Sequence, residues 1–435
     1  MFEPLYTAAE MQAAEAGHDV EQLMERAGRA VADELLARFP AARTFAAVCG
    51  GGANGGDGRI ASELLRTAGW EERSLGDAEV VIDALFGTGF SGTPREEAAR
   101  QIRSMNDAGA PVVAVDIPSG VDASTGEVPG EAVRADLTVT FHGRKVGHEV
   151  APGRFRHGEV VVADIGLEHR ETEHALATAA ILDLVPRRKP GDTKYTAGSV
   201  LVVGGSPGMT GAVCLTAEAA LRADAGYVAV AAPDESLPVI ETRLLEAVKR
   251  PLDEVWSAVE RARAIAIGPG LGRERRELVH RLLVETDLPA VVDADGLYEL
   301  EPVERDAATV LTPHSGELAR LLGVEAAWVD AHRLEALARA VERFRCIVLL
   351  KGEGTLVGAP DTGAIVCGGF PSLATAGTGD VLTGVVASFL AKGMDGRLAA
   401  AAAATAHTEA AVAAPFRSGL VASDLLTALP PVLDA

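Results

Sequence analysis

Short apolar runs, each closed by a glycine-rich turn and followed by a helical stretch, recur along the whole chain and restrict it to one fold class. In the first half the runs are 44–49, 80–85, 112–115, 137–141 and 160–163, with helical patterning at 23–39, 60–65 and 96–106. In the second half they are 200–203, 227–231, 264–267, 290–292, 310–311 and 347–350, with helices predicted over 212–223 and 274–284. Strand and helix in alternation, with strands apolar on both faces, specify an α/β chain built on mainly parallel, doubly wound sheets. The loops leaving the carboxyl ends of such strands are where ligands sit. No sequence repeat links the halves, so they read as two different α/β domains, the division expected of 435 residues.

A polar, Ala-rich stretch over 168–181 and the segment Pro186-Arg-Arg-Lys-Pro190-Gly predict a linker between the halves. Hydrophobic residues make up 48% of the chain, which leaves no room for extensive disorder. A formal net charge of -22 argues against a general nucleic-acid binder or a protein drawn to anionic membranes. Local backbone N–H groups could still hold phosphates. Cys49, Cys214, Cys346 and Cys367 form no CxxC pair and read as reduced, buried cysteines of a cytoplasmic protein. The Ala-rich run 398–414 carries His407 and Glu409 and is too weakly apolar to span a bilayer.

In the first half, Cys49-Gly-Gly-Gly-Ala-Asn-Gly-Gly-Asp-Gly58 follows a strand and opens a helix, allowing close backbone approach to a pyrophosphate. It is not the GxGxxG fingerprint of an ordinary dinucleotide-binding dehydrogenase. Two further strand ends, Asp83-Ala-Leu-Phe-Gly-Thr-Gly89 and Val115-Asp-Ile-Pro-Ser-Gly120, converge on the same rim of a parallel sheet. Asn54, Asp83 and Ser119 offer oxygen ligands suited to a hard cation. Asp116 is a candidate acid/base with Lys145 as its cationic partner. Each alone has the simpler reading of a turn or helix cap; five together on one rim are harder to explain that way.

In the second half, Ala376-Gly377-Thr378-Gly379-Asp380 precedes the apolar pattern Val381, Leu382, Val385, Val386, Phe389, Leu390. Glycines before a helix let free N–H groups converge on an anion, with the helix dipole adding positive potential. An Asp there would repel phosphate unless it orients or deprotonates a hydroxyl approaching it; the alternative is an ordinary Asp cap. Other strand exits carry Gly268-Pro-Gly270-Leu-Gly, Val291-Val-Asp-Ala-Asp-Gly296, Thr312-Pro-His314-Ser-Gly-Glu317 and Lys351-Gly-Glu-Gly-Thr355. The DADG stretch alone reads as a turn, and Lys351 alone could be a surface lysine.

The series LMERAG, NGGDG, DALFGTG, VDIPSG, K-x-G and DIG resembles the epimerase family of NAD(P)H-hydrate repair, the YjeF N-terminal family. TPHxGE, KG and AGTGD in that order resemble the NAD(P)H-hydrate dehydratases, the YjeF C-terminal family within the ribokinase-like fold. The resemblance implies an N-terminal Rossmann-like αβα sandwich over 1–172 and a C-terminal ribokinase-like αβα domain over 173–435, in the order of a fused bifunctional repair enzyme. In the first domain it implies that Ala53, Asn54, Gly55, Gly56, Asp57, Gly87, Thr88, Gly89, Phe90, Ser91, Gly92 and Thr93 contact the hydrated dinucleotide. Asn54, Asp83 and Ser119 would bind K+, and Asp116 and Lys145 would handle the proton chemistry. In the second it implies that Asp380 is catalytic and that Ala212, Gly270 and His314 contact the substrate. ADP or ATP would lie along Lys351, Gly352, Glu353, Gly354 and Thr355 and against Ala376, Gly377, Thr378 and Gly379, with Glu317 organising Mg2+. Phosphorylation would turn the C6 hydroxyl, a poor leaving group, into phosphate, whose loss restores NADH or NADPH. A homo-oligomer is a further expectation of the family.

Two departures stand out. Ala53 replaces the usual Asn, and only 66–79 separates the helix after NGGDG from the DALFGTG strand, too little for the family's extra strand and helix. The first domain is expected to be shortened, its sheet a strand short. The alternatives are a ribokinase-like kinase for a small alcohol, and a dehydratase carrying a non-catalytic N-terminal module.

Overall fold

The computed structural model describes residues 1–434, in two compact units. One unit comprises Pro4–Ala175 with Asp330–Arg333; the other takes Met1–Glu3, Leu176–Val329 and the chain from Leu334 on. The first strand, β1 (Phe2–Leu5), pairs in the sheet of the second unit, next to a strand of residues 174–177.

The first unit carries a parallel sheet of β2 (Thr44–Cys49), β3 (Glu71–Glu72), β4 (Val80–Ala84), β5 (Val112–Val115), β6 (Leu137–Phe141) and β7 (Glu159–Ala163), in the order β3-β2-β4-β5-β6-β7. Strands β4, β5 and β6 are buried at every residue, as a sheet covered on both faces requires. Helices α1 (Ala8–Glu15), α2 (Val20–Arg38), α3 (Ala53–Thr67), α4 (Glu96–Asn106) and the single turn α5 (Val146–Glu149) complete the unit. The shortened interval is visible here. The sheet is not a strand short: β3 survives as two exposed residues paired to Thr44 and Phe45. What is missing is the helix between β3 and β4, a stretch the chain crosses in seven residues without one.

In the second unit an eleven-stranded sheet runs β1-β8-β17-β16-β15-β14-β13-β12-β9-β10-β11. Its strands are β8 (His174–Ala177), β9 (Ser199–Val203), β10 (Tyr227–Ala232), β11 (Val248–Pro251), β12 (Ala264–Ile267), β13 (Ala290–Val292), β14 (Thr309–Leu311), β15 (Ile347–Leu350), β16 (Leu356–Gly358) and β17 (Ile365–Val366). From β11 to β15 neighbours are parallel; β15, β16 and β17 pair antiparallel. The segment read as linker is structured at its start: it holds β8 and a 3-10 turn over Ala179–Leu184. Those four strand residues alternate too weakly in polarity to show in the sequence.

Helix α6 (Thr210–Arg222) and the helix Thr378–Ala391 pack on the sheet and on each other. Gly384 permits their crossing: a Cβ there would stand 2.2 Å from the carbonyl oxygen of Thr216. Thr216 returns the contact through its hydroxyl, which donates to the carbonyl of Asp380 at 3.0 Å. No helix among the described residues is long and apolar enough to cross a membrane.

Candidate functional site

In the first unit the ends of β2, β4, β5 and β6 border a cavity of about 800 Å³. Its wall includes Ala53, Asn54, Asp57, Gly87, Thr88, Gly89, Phe90, Ser91, Thr93 and Asp116, joined by Met11 and Glu15 of α1 and by Gln101 of α4. Gly55, Gly56 and Gly92 are not part of that wall. Gly55 and Gly56 are packing positions instead: a Cβ would meet the Gly50 carbonyl oxygen at 2.0 Å in one case and Cε of Met24 at 1.9 Å in the other. The turn itself is Gly50–Gly52, and Ala53–Asp57 already belongs to α3.

At one side of the cavity Asp116 and the fully buried Lys145 form an ion pair, Nζ to Oδ1 at 2.7 Å. Lys145 also donates to the Thr140 hydroxyl at 2.8 Å and to the carbonyls of Phe141 and Gly143. Asp116 accepts from Thr140 at 3.0 Å and from the backbone N–H of Thr88 at 3.3 Å. Burial, the largest single influence, opposes its ionisation, but the charge and hydrogen bond of Lys145, with a smaller contribution from the Thr140 hydrogen bond, together hold the carboxyl below the usual range. Asp57 is its opposite. Burial first, then the charges of Asp116 and Glu15, push its carboxyl up to about 8 against the weaker pull of Arg59. One of its oxygens is buried without a hydrogen-bond partner. Near neutral pH the cavity therefore holds an ionised carboxylate beside a protonated carboxylic acid, the two states that general acid–base chemistry needs.

Beneath this rim Asn54, Asp83 and Ser119 meet around the backbone of Phe86. Asn54 donates to the Phe86 carbonyl at 2.8 Å, and Phe86 N–H donates to the Ser119 hydroxyl at 2.8 Å. Asp83 accepts from the Ser119 hydroxyl at 2.6 Å and from the Ser119 N–H at 2.8 Å. Burial pushes its carboxyl up to about 6, opposed by hydrogen bonds alone with no cationic side chain among them. The Asp83 carboxylate, without a countercharge, the Ser119 hydroxyl and the Phe86 carbonyl bring together oxygen donors of the kind a hard cation takes, while Asn54 turns its amide nitrogen to the Phe86 carbonyl.

In the second unit Asp380 lies in the first turn of helix Thr378–Ala391 rather than ahead of it. Gly377 caps that helix at φ 89°, a left-handed conformation natural to glycine, and a Cβ there would stand 2.8 Å from Cδ1 of Leu215. Behind the turn, the Lys351 ammonium pairs with Asp293 at 2.7 Å and lies 3.8 Å from Glu317. The side chain of Lys351 is mostly buried, so it is no surface lysine; it runs under the helix start, where a Cβ on Gly379 would be 3.3 Å from Nζ. Burial disfavours its charge, but Asp293 and Glu317 more than compensate and raise its pKa. Asp380 is pushed up to about 7 by burial and by Asp293, with Lys351 pulling the other way.

His314 and Glu317 form a reciprocal cap on helix Ser315–Leu322: His314 Nδ1 accepts from Gly316 N–H at 3.0 Å, and Glu317 accepts from His314 N–H at 2.9 Å. Gly270, at φ 60°, touches Met209 just before α6, where Ala212 lies in the first turn. Gly352, Glu353, Gly354 and Thr355 form the turn between β15 and β16, with Thr355 donating to the Gly352 carbonyl. Ala376 lies in the turn before the Gly377 cap.

Sequence reasoning passed over Asp293, which it read as part of a turn. One Asp293 oxygen holds Lys351 and the other accepts from the Thr383 hydroxyl at 2.7 Å. The available signal was its place at a strand end, the same as that of Asp83 and Asp116. Thr140, Glu15 and His148 were also missed, and nothing local in the sequence marks them.

Comparison with known proteins agrees with this geometry. A family model described as NAD(P)H-hydrate dehydratase matches residues 200–431. A second, described as YjeF-related protein N-terminus, matches in two pieces, 20–75 and 71–147, broken at the shortened interval. The bifunctional NAD(P)H-hydrate repair enzyme Nnr of Moorella thermoacetica is 36% identical, covering 94% of this chain and 92% of its own length. The enzyme of the same name from Pyrobaculum aerophilum is 37% identical over 94% of this chain and 93% of its own. Among solved structures, an ADP/ATP-dependent NAD(P)H-hydrate dehydratase from Bacillus subtilis, co-crystallised with ATP/Mg2+, matches 59% of this chain and 96% of its own at 29% identity and a TM-score of 0.55.

Proposed function

The chain belongs to the bifunctional NAD(P)H-hydrate repair enzymes, and from that premise we propose how its two units divide the work. The protein epimerises the R and S forms of NAD(P)H hydrate and dehydrates the S form to NAD(P)H at the expense of ADP or ATP. We assign the epimerase to residues 1–172, most of which lie in the first unit, and the dehydratase to 173–435, most of which lie in the second.

In the epimerase, the hydrated nicotinamide enters the cavity above the Asp116–Lys145 pair. Asp116, kept ionised by Lys145, takes the hydroxyl proton of the hydrated carbon so that this carbon's bond to the ring nitrogen opens, and returns the proton to that oxygen once the ring has closed on the other face. Asp57, protonated at neutral pH, donates a hydrogen bond to the substrate from the cavity wall. A potassium ion held by Asn54, Asp83 and Ser119 would supply the missing countercharge and stiffen the loop at Phe86.

In the dehydratase, the free N–H groups at the start of helix Thr378–Ala391 receive the transferring phosphoryl, and Asp380 orients and deprotonates the C6 hydroxyl that attacks it. Lys351, held by Asp293, which Thr383 anchors in turn, lies close enough to offset the negative charge that gathers there. Glu317 spends Oε2 on the His314 N–H, and its Oε1, 3.5 Å from His314 Nε2 and beyond hydrogen-bond reach, is the oxygen we assign to a Mg2+ bound with the nucleotide phosphates. Magnesium would neutralise the phosphate oxygens.

The observation that carries this reading is the acidic residue in the first turn of an anion-binding helix, poised near neutrality over a buried lysine. The experiment is recovery of absorbance at 340 nm after adding the protein, Mg2+ and ADP, then ATP, to mixed R and S NADH hydrate. Full recovery, faster than spontaneous epimerisation supplies, is expected. Recovery that stops at the S fraction would make the first unit a non-catalytic module. A stable phosphorylated product without NADH would make the second unit a small-alcohol kinase.

A further inference from the structure

Asp116 stands at φ 67°, in the left-handed region that residues with a Cβ avoid. Its N–H donates to the Val139 carbonyl at 2.8 Å, which leaves its own carbonyl turned toward the interior. There it meets Nε2 of His148 at 3.0 Å. The other ring nitrogen of His148, Nδ1, accepts the backbone N–H of Lys145 at 3.0 Å. A backbone N–H only donates and a carbonyl only accepts, so the proton must sit on Nε2 and Nδ1 must be bare. The ring is neutral, fully buried and satisfied at both ends. Burial first, and then the Lys145 charge, keep it so, pushing its pKa down to about 3.

One imidazole thus spans the main chains of the two residues whose side chains meet at 2.7 Å. Gly147, its neighbour, is tied down by its N–H, which donates to the Ala123 carbonyl at 2.9 Å, and packs so closely that a Cβ there would stand 2.6 Å from the Asp122 carbonyl oxygen. We propose that His148 is a positioning residue of the epimerase centre, a neutral strut that ties the backbone of Lys145 to that of Asp116 and holds Asp116 in the left-handed conformation. In that conformation its carboxylate faces both Lys145 and the cavity. The inference rests on the assignment of Asp116 and Lys145 as the epimerase pair, and concerns what sets their geometry.

The test uses two full-length variants. In His148→Gln the amide carbonyl and NH2 can take over both bonds; His148→Leu fills the space and makes neither. On mixed R and S NADH hydrate, with spontaneous epimerisation subtracted, His148→Gln keeps kcat within about threefold, and His148→Leu loses about 10- to 100-fold in kcat with KM little changed. Dehydration of the S epimer is the same in all three proteins. A second readout needs no activity: the Asp116 carboxyl, followed by 13C NMR, titrates below the usual range in wild type and His148→Gln and moves up in His148→Leu. The charged and titratable groups acting on that carboxyl are Lys145 and His148, with Asp57 and Glu15 coupled to it across the cavity. Wild-type kcat in His148→Leu, or equal losses in the Leu and Gln variants, would overturn the strut. If the wild type failed to convert the R epimer while the NMR shift behaved as stated, the strut would stand and the epimerase assignment would fall.

Discussion

The protonated acid in the first cavity makes a stability prediction with a definite sign. Burial, with Asp116 and Glu15, raises the Asp57 carboxyl from its ordinary 3.8 to about 8. The unfolded chain ionises this group near its ordinary value, so the folded state binds the extra proton between the two. The stability it contributes is complete below pH 3.8, falls as pH rises, and is lost once pH has passed about 8. From 3.8 to about 8, at ~1.4 kcal/mol per pH unit, the first unit should lose roughly 6 kcal/mol across that window from Asp57 alone. Asp57→Asn keeps the shape and removes the titration. Its stability relative to wild type should therefore climb steadily from pH 5 to pH 8 and then level off. Urea unfolding followed by Trp70, the buried tryptophan of the first unit, would report this once Trp256 and Trp328 are replaced by Phe in both proteins. A difference that stayed flat over that range would mean that Asp57 is ionised in the folded protein. The acid assigned to the cavity would then not exist. That the chain keeps a group so costly at neutral pH is itself a sign of function.

The same reasoning applied to Asp380 predicts that dehydratase kcat/KM rises with pH about a midpoint near 7, because the carboxylate form must receive the hydroxyl proton. A pH profile flat from 6 to 8 would remove it as the base. Lys351→Met removes the cation that pulls Asp380 down and leaves Asp293 buried beside it, so the midpoint should move up and the second unit should lose about 3–5 kcal/mol, read from urea unfolding. Gly384→Val should push α6 and helix Thr378–Ala391 apart, lowering dehydratase activity and the stability of the second unit by at least 2 kcal/mol while epimerisation is unchanged; loss of both activities would show that the two units do not act independently.

How much of this was legible in the sequence depends on the range over which each feature is determined. The strands β4, β5, β9 and β12 are continuous apolar runs, and burial on both faces leaves no polar residue to blur them. Asp83 and Asp116, each at a strand end, and Asp380, at a helix start led by glycines, stood out from the local sequence as well. The pairing of Asp116 with Lys145 was inferred from type and proximity in the fold class. Asp293 escaped because its two partners, Lys351 and Thr383, lie 58 and 90 residues away, and only the sheet order brings them together. Residues 174–177 escaped for a related reason: four weakly patterned residues become β8 only because β1 and β17 flank them.

The shortened interval shows the same dependence from the other direction. Counting residues gave the loss of a strand and a helix, yet the two parts are not equally dispensable. A strand of two residues still makes its edge hydrogen bonds, Glu71 N–H to the Arg43 carbonyl and the following Arg73 N–H to the Phe45 carbonyl, so β3 survives in truncated form. A helix of a few residues would satisfy almost none of its own, so it disappears entirely. The catalytic wall is unaffected because it is built from the far ends of β2, β4, β5 and β6, and the Lys145–Asp116 geometry is fixed by His148 on the opposite flank of the sheet. An epimerase can lose a peripheral crossover and keep its centre when the residues that set the centre hold one another.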